Sequence, residues 1–152
     1  MIEPGTPAPD FTLRDQDLAK VSLGDFAGRR LVLCFYPGDF SPVCSDQLSV
    51  YQEVLGEVEE RGASLVGISV DGIFCHQAFR EKLGLEMPLL ADFHPKGEVS
   101  AAYGAYRPER GYNNRSLVLV GPDGTVEWSY ESPSDREIPG ANLIFDALAA
   151  SG

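Results

Sequence analysis

A continuous apolar run in the first quarter of the chain limits the choice of fold more than any other feature. Six residues follow one another without a charged interruption: Leu31-Val32-Leu33-Cys34-Phe35-Tyr36. Successive residues of a strand face opposite sides of a sheet, so this strand is expected to be apolar on both faces, which is typical of a central strand covered by helices. Pro37 and Gly38 then end it. The run therefore predicts an α/β fold with helices on both faces of a sheet.

The remaining periodicity predicts strands and helices that alternate around that strand. Predicted strands lie at residues 11–14, 20–23, 30–36, 64–70, 87–90, 115–120 and 125–130, and predicted helices at residues 42–60, 74–83, 97–103 and 141–150. Strand–helix–strand connections bring strands together in parallel, and Gly121-Pro122-Asp123-Gly124 is a strong turn signal between two strands. We therefore expect a mixed sheet with a parallel centre and an antiparallel hairpin at its edge.

Length and charge narrow the architecture and exclude several classes of partner. The chain has 152 residues, the size of one ordinary domain, so we expect a single domain over residues 1–152. Its 23 acidic and 12 basic residues give a net charge of −11, which argues against nucleic acid and anionic membranes as partners. No apolar stretch approaches the roughly 20 residues of a membrane-spanning helix, and the first residues show no secretory signal, so we expect a cytoplasmic protein.

The cysteines and histidines do not form the pattern of a disulfide framework or a metal site. Cys34, Cys44 and Cys75 are odd in number and widely spaced, and no Cys-x-x-Cys pair occurs. His76 and His94 stand 18 positions apart, so we expect no metal and interpret both as surface or helix-capping residues. In a reducing compartment, an isolated cysteine is more often redox-active or catalytic than structural.

The residues after the central strand place a cysteine at the start of a helix. Ser41 can cap that helix and Pro42 suits its first position, which puts Cys44 in the first turn. Backbone N–H groups there have no intrahelical acceptor, and together with the helix dipole they favour an anion. The thiolate is the reactive form of cysteine, and sites in α/β folds lie at the carboxyl ends of strands. Cys44 is therefore the candidate nucleophile.

An ionised sulfur alone does not make a fast catalyst. A thiol with a pKa of about 8.5 is already about 3% ionised at pH 7, so complete ionisation gains only roughly 30-fold. If the substrate is a peroxide, negative charge builds on the departing oxygen, and fixed donors must hold both oxygens. The N–H groups of Val43 and Cys44 and the Ser41 hydroxyl are close in sequence. The guanidinium of Arg115 is the candidate charged donor.

The segment around Cys44 resembles the peroxiredoxin signature, Pro-x-x-x-Thr/Ser-x-x-Cys. In this chain it reads Phe35-Tyr36-Pro37-Gly38-Asp39-Phe40-Ser41-Pro42-Val43-Cys44. Further similarity to that family covers nearly the whole chain, at residues 8–13, 67–71, 88–92 and 114–124. Within the AhpC/TSA superfamily, the chain is most similar to the small one-domain members, which are the PrxQ (bacterioferritin-comigratory) and AhpE types.

The resemblance implies a thioredoxin-like fold and a thiol-dependent peroxidase for hydrogen peroxide and organic hydroperoxides. Cys44 would be the peroxidatic cysteine and would become a sulfenic acid, with no cofactor. Pro37 would shield the sulfur, Ser41 would hydrogen-bond the peroxide, and Arg115 would hold both thiolate and substrate. Gln47 stands where many members have Glu and would brace the pocket.

The resemblance leaves two routes for reduction of the sulfenic acid. PrxQ members often carry a resolving cysteine five positions after the first, but Ser49 stands there in this chain. Cys75 is the candidate resolving cysteine if the start of its helix unwinds. Otherwise thioredoxin, a glutaredoxin-like protein or a low-molecular-weight thiol would reduce Cys44 directly. A homodimer through residues 37–41 and 103–108 is also implied.

Other interpretations of the same residues stay open. The Ser41-x-x-Cys44 pair occupies the place of Cys-x-x-Cys in thioredoxins, so a thiol–disulfide oxidoreductase is one alternative, although the first sulfur is missing. A non-enzymatic redox-sensing or binding module is the other. At the level of single residues, Cys34 and Cys75 suit packed thiols of the core, and Arg115 could pair with a surface carboxylate.

Overall fold

The computed structural model describes residues 1–151, which form strands and helices in alternation. The strands are β1 (Thr12–Arg14), β2 (Lys20–Ser22), β3 (Arg30–Phe35), β4 (Ala63–Ser69), β5 (Leu89–Ala91), β6 (Tyr106–Arg107), β7 (Tyr112–Asn113), β8 (Ser116–Val120) and β9 (Val126–Glu131). The helices are α1 (Pro42–Glu60), α2 (Ile73–Leu83), α3 (Glu98–Ala102) and α4 (Ala141–Ser151). A short 3-10 turn, Leu23–Phe26, follows β2.

Seven of these strands form one mixed sheet in the order β2-β1-β5-β4-β3-β8-β9. Strand β3 is parallel to β4 and antiparallel to β8, and β4 is parallel to β5. The β8–β9 hairpin forms the antiparallel edge that the Gly-Pro-Asp-Gly turn predicts. The predicted sheet is therefore confirmed. The strands predicted at residues 11–14 and 20–23 pair as the β1–β2 hairpin, as expected. Strand β1 also pairs antiparallel with β5, and this place of the hairpin in the sheet was not predicted from the sequence.

Strand β3 is buried on both faces, as its continuous apolar sequence predicts. Every residue from Leu31 to Phe35 is at most 2% exposed. Val32 and Cys34 face a core filled by α1, α2 and α4, whereas Leu33 belongs to a second core, against which α3 packs. Helices therefore cover both faces of the sheet, and the carboxyl end of β3 lies between them.

Helix α1 begins directly after β3 because the intervening residues end the strand and cap the helix. Ser41 has an extended backbone (φ −61°, ψ 136°), its side chain accepts a hydrogen bond from the Cys44 N–H, and Pro42 takes the first helical position. The buried residues recur at intervals of three or four: Cys44, Gln47, Leu48, Tyr51, Leu55 and Val58. This register turns Cys44 toward the sheet rather than toward solvent.

The structure differs from the predicted elements mainly in its shortest strands. Strands β6 and β7 pair with each other over two residues each, which is too short to leave a periodic pattern. Arg115 lies one residue before β8 instead of opening the strand. Within residues 1–151, no helix combines the length and the hydropathy needed to cross a membrane.

Candidate active site

Cys44 lies in the first turn of α1 and is 0% exposed. Ser41 Oγ accepts a hydrogen bond from the Cys44 N–H at 3.4 Å, and the Ser41 carbonyl accepts one from the Ser45 N–H at 2.8 Å. Of the two N–H groups that the sequence analysis expects to be free, that of Cys44 is therefore already engaged by the cap. The Val43 N–H remains as a first-turn donor.

The Arg115 guanidinium is buried against the Cys44 sulfur. Its Nη1 donates to Cys44 Sγ at 3.4 Å and to Gln47 Oε1 at 2.6 Å. Its Nε and Nη2 donate to the backbone carbonyl of Asp135 at 3.0 and 2.8 Å. Arg115 is only 2% exposed, so it does not pair with a surface carboxylate.

The charge of Arg115 needs a counter-charge, and its contacts offer one only at Cys44. Gln47 Oε1 and the Asp135 carbonyl are neutral acceptors. Among the described residues, the salt bridges do not include Arg115. Because an unpaired charge is costly to bury, a negative charge on the Cys44 sulfur would be compensated by Arg115, whereas the other contacts of the guanidinium are neutral.

A chain of hydrogen bonds orients Gln47 toward Arg115. Gln47 Nε2 donates to the Tyr51 hydroxyl at 3.1 Å, and the Tyr51 hydroxyl donates to the Pro139 carbonyl at 2.7 Å. Burial raises the pKa of Tyr51 well above its usual range, so the hydroxyl keeps its proton. The sequence analysis identified Gln47 but missed Tyr51, Asp135 and Pro139. The last two contribute backbone carbonyls, which any residue type can supply.

The other two cysteines are neutral thiols in different surroundings. Cys34 is completely buried on β3, as its strand predicts, and burial raises its pKa to about 12. Cys75 is half-buried in the first turn of α2, and its Sγ lies within 4.8 Å of carboxylate oxygens of Asp39 and Asp71. Burial, followed by the charge of Asp39, raises the pKa of Cys75 to about 12. All three cysteines of the chain are free.

The group formed by Asp39, Asp71 and Cys75 is close enough to hold a cation, but its oxygens already accept hydrogen bonds. The Tyr36 hydroxyl donates to Asp39 Oδ1 at 2.6 Å, and His76 Nδ1 lies 2.7 Å from Asp39 Oδ2. Asp71 Oδ2 accepts from the Asp39 N–H at 2.8 Å. We therefore assign no metal to this group.

His76 is not the surface or capping residue that the sequence analysis expects. It is 0% exposed, with Nδ1 against Asp39 and Nε2 3.1 Å from the Leu90 carbonyl. His94 is exposed, as expected. One signal could have placed His76 correctly: it precedes the buried Phe79 by three positions, which puts both on one face of α2.

Direct contacts join four of the sequence-predicted site residues: Ser41, Cys44, Gln47 and Arg115. Pro37 is half-buried at the start of the loop between β3 and α1, and Val43 is half-buried in the first turn of α1. Cys75, by contrast, lies beside the carboxylates of Asp39 and Asp71. The site therefore consists of a sulfur, a buried cation and a helix N-terminus.

Comparisons with known proteins agree in sequence and in structure. Residues 4–129 match the AhpC/TSA family. Alkyl hydroperoxide reductase E of Mycobacterium tuberculosis (strain H37Rv) is 35% identical over 151 residues, which are 99% of this chain and 98% of that protein. Enterococcus faecalis AhpC has a TM-score of 0.91 at 26% identity, with 99% of this chain and 93% of that chain covered. Peroxidoxin BcpB from Mycobacterium tuberculosis has a TM-score of 0.84 at 28% identity, with 98% and 96% covered. The chain therefore belongs to the AhpC/TSA family of peroxiredoxins, which are thiol-dependent peroxidases with a thioredoxin-like fold.

Proposed function

We propose that Cys44 is the peroxidatic cysteine of this thiol-dependent peroxidase and that Arg115 is its counter-ion. The supporting observation is the buried guanidinium 3.4 Å from Cys44 Sγ, whose other acceptors are neutral oxygens. The thiolate attacks one peroxide oxygen, so that an S–O bond forms and the O–O bond breaks. The departing hydroxide or alkoxide takes up, through solvent, the proton that the Cys44 thiol released on ionising, and leaves as water or alcohol. The sulfur is oxidised by two electrons to sulfenic acid.

In our proposal, Ser41, Val43 and Arg115 supply the donors that this step requires. Ser41 Oγ accepts from the Cys44 N–H, which leaves the Ser41 O–H proton for a peroxide oxygen. In our proposal, the Val43 N–H and the Arg115 guanidinium stabilise the charge that develops on the departing oxygen. Removal of one such fixed donor typically slows a reaction by roughly 10²–10³. Gln47 holds Arg115 in place, and Pro37 shields the sulfur from water.

The reductant of the sulfenic acid is, in our proposal, an external thiol rather than Cys75. In the folded protein, Cys75 Sγ lies within 4.8 Å of carboxylate oxygens of Asp39 and Asp71. Burial, followed by the charge of Asp39, raises the pKa of Cys75 to about 12, so it stays a neutral thiol there. The thiolate is the attacking form of a thiol, which favours thioredoxin, a glutaredoxin-like protein or a low-molecular-weight thiol as the reductant.

We also propose a homodimer that uses the loop at residues 37–41. Phe40 is 46% exposed, and Phe74 and Phe93, which line one groove, are 77% and 60% exposed. Exposed aromatic surface of this kind is typical of an interface. Tyr103, which the sequence analysis included in that interface, is 0% exposed, and its hydroxyl donates to the Pro9 carbonyl at 2.7 Å. Tyr103 therefore belongs to the core.

A reducing compartment suits this cycle, and we propose the cytoplasm. The three cysteines are free, and each turnover must return Cys44 to the thiol state. Thiol–disulfide exchange is the less favoured function. Ser41 stands three positions before Cys44, where a redox-active pair would carry its second sulfur.

Peptide mapping after one equivalent of hydrogen peroxide, with a sulfenic-acid trap present, tests the proposal. We expect the trap on Cys44 and a free thiol at Cys75. The variant Cys75→Ser should give the same trapped product, whereas Cys44→Ser should give none. A Cys44–Cys75 disulfide would contradict direct reduction by an external thiol and would show a two-cysteine cycle instead. An unmodified Cys44 thiol would contradict its role as the peroxidatic residue.

A further inference from the structure

A buried pair of side chains, Asp39 and His76, takes no part in the chemistry described above. Both side chains are 0% exposed. Asp39 belongs to the loop between β3 and α1, and His76 belongs to the first turn of α2. Asp39 Oδ2 lies 2.7 Å from His76 Nδ1, and Asp39 Oδ1 accepts from the Tyr36 hydroxyl at 2.6 Å. The pair therefore ties the loop that precedes Cys44 to a separate helix.

The contacts of His76 determine where its protons are. Nε2 lies 3.1 Å from the Leu90 carbonyl, and a carbonyl oxygen only accepts, so Nε2 carries a proton. Nδ1 faces the carboxyl of Asp39. If that carboxyl is ionised, it also only accepts, so Nδ1 must carry a second proton. An ionised Asp39 thus requires His76 to be an imidazolium.

The other neighbours of Asp39 are hydrogen-bond donors. Burial raises the pKa of Tyr36 well above its usual range, so its hydroxyl keeps its proton and donates to Asp39 Oδ1 at 2.6 Å. Cys75, whose pKa is raised to about 12, also remains protonated beside the same carboxylate. Tyr36 and Cys75 therefore both face Asp39 as donors, and hydrogen bonds to the charged form of a carboxyl stabilise that form. Asp71, the other acid nearby, accepts hydrogen bonds from the Asp39 N–H at 2.8 Å and from the Ser69 hydroxyl at 2.6 Å.

The loop held by this pair has a strained backbone. Phe40 has a φ of +66°, in the left-handed region that costs a non-glycine residue roughly 1–2 kcal/mol. The Asp39 N–H is tied to Asp71 at 2.8 Å, and the Phe40 ring lies 5.2 Å from that of Phe79. A strained conformation persists only where its surroundings hold it. The next residue is Ser41, which caps α1 and contacts Cys44.

We propose that Asp39 and His76 form a buried ion pair that holds the loop at residues 37–41 in place and thereby positions Ser41 and Cys44 for attack on the peroxide. The inference rests on the proposed peroxidatic role of Cys44. His76 is a positioning residue, since it acts through Asp39 and touches neither the sulfur nor the substrate. Without the pair, Phe40 can relax and move the Ser41 hydroxyl. A misplacement of about 1 Å can cost roughly a hundredfold in rate.

Two substitutions of Asp39 separate positioning from simple loss of packing. In Asp39→Asn, the amide oxygen can accept from Tyr36 and the amide nitrogen can donate to a neutral His76, so each hydrogen bond has a replacement. Asp39→Ala removes them all. We expect oxidation of Cys44 by hydrogen peroxide to slow by about tenfold to a hundredfold in Asp39→Ala. Asp39→Asn should recover most of that loss, and Asp146→Ala, which removes an exposed acid from α4, should match the wild type.

A second pair of variants covers the case in which Asp39→Ala fails to fold. The Asn side-chain nitrogen reaches the place of histidine Nδ1, whereas that of Gln reaches the place of Nε2. His76→Asn therefore keeps a donor to Asp39, and His76→Gln keeps only the donor to Leu90. We expect slower oxidation of Cys44 in His76→Gln than in His76→Asn. Equal rates in these two variants would overturn the positioning role.

The ring protons of His76 provide a readout that activity does not influence. Nitrogen-15 chemical shifts at neutral pH should show both ring nitrogens of His76 protonated in the wild type and only Nε2 protonated in Asp39→Asn. The chain has two histidines, so His94→Asn assigns the signals. An unprotonated Nδ1 in the wild type would overturn the ion pair.

The kinetic outcomes distinguish this inference from the proposed function. If wild-type Cys44 is oxidised rapidly and Asp39→Ala and His76→Gln keep that rate, the positioning pair is refuted and the peroxidatic role of Cys44 stands. If wild-type Cys44 does not react with hydrogen peroxide, the proposed function fails, and with it the role of the pair in catalysis.

Discussion

At the scale of single residues, the buried charge of Arg115 determines what the site can do. Its planar guanidinium reaches Cys44 Sγ, Gln47 Oε1 and the Asp135 carbonyl at the same time. The last two contacts are neutral, so they orient the cation without cancelling its charge. A lysine is a compact charge without this fork of donors, so it would not serve the same three partners. In the proposed mechanism, this charge acts on the sulfur and on the oxygen that leaves during the reaction.

Replacing Arg115 by Met should slow the oxidation of Cys44 by hydrogen peroxide by roughly a hundredfold or more, because a counter-charge and a fixed donor are both lost. Arg115→Lys keeps the charge but not the bonds to both Gln47 and Asp135, so an intermediate rate is expected. Rapid-quench kinetics with mass detection measures these rates. Arg136→Met removes an exposed positive charge and serves as the control. A wild-type rate in Arg115→Met would remove this residue from the mechanism.

At the scale of elements, the junction between β3 and α1 combines folding and chemistry. The strand is buried on both faces, so its carboxyl end leaves the sheet between helices. Ser41 ends the loop with a side chain that caps the helix at the Cys44 N–H, and in the proposed mechanism the same hydroxyl donates its proton to the peroxide. The helix start therefore supplies the sulfur, the cap and the donors within one turn.

Ser41→Ala is expected to lower the free energy of unfolding by about 1 kcal/mol, because the cap of α1 is lost. We also expect slower oxidation of Cys44 by about tenfold or more, since a donor to the peroxide is lost with the hydroxyl. Denaturant unfolding and the hydrogen peroxide rate constant measure the two effects. Ser41→Thr keeps a hydroxyl and should retain most of both. Ser49→Ala, on the same helix but away from the cap, is the control. An unaltered rate in Ser41→Ala would leave this residue with the capping role alone.

At the scale of the whole molecule, the two cores on either side of the sheet enclose several groups that can ionise at alkaline pH. Burial raises the pKa of Cys34 to about 12 and raises those of Tyr36, Tyr51 and Tyr103 above their usual range. Such a group stays protonated in the folded protein at a pH where it has ionised in the unfolded chain. Its contribution to stability is complete below the unfolded pKa and is lost as pH rises through the folded pKa. The fold should therefore weaken on the alkaline side.

The free energy of unfolding of the reduced protein should fall between about pH 8.5 and 10, below the range in which unfolded tyrosines ionise. The buried thiol of Cys34 contributes up to about 1.4 kcal/mol per pH unit to this decline. Denaturant unfolding at a series of pH values gives the slope. Cys34→Ala leaves a small cavity and lowers stability at every pH. Its free energy of unfolding should nevertheless fall less steeply with pH, because one buried thiol has been removed. The same slope in both proteins would show that folding does not raise the pKa of Cys34.

The local pattern of the sequence determined the architecture and the chemical centre. A run apolar on both faces predicts β3, and a Ser-Pro pair predicts the start of α1, because strand burial and helix capping depend on neighbouring residues. These two elements place Cys44 at a helix N-terminus before any long-range contact is considered. Arg115 was identified as the cationic partner from the resemblance to the family, although 71 positions separate it from Cys44.

Only the tertiary structure decided what surrounds that centre. The Asp135 and Pro139 carbonyls orient Arg115 and Tyr51. Every residue type has a backbone carbonyl, so the sequence does not indicate which ones make these contacts. His76 was expected at the surface but is buried against Asp39, since a polar side chain in a helix reveals its partner only when a distant loop packs on it. Local periodicity reports which face of an element is buried, whereas the identity of the group that meets that face depends on how distant segments fold together.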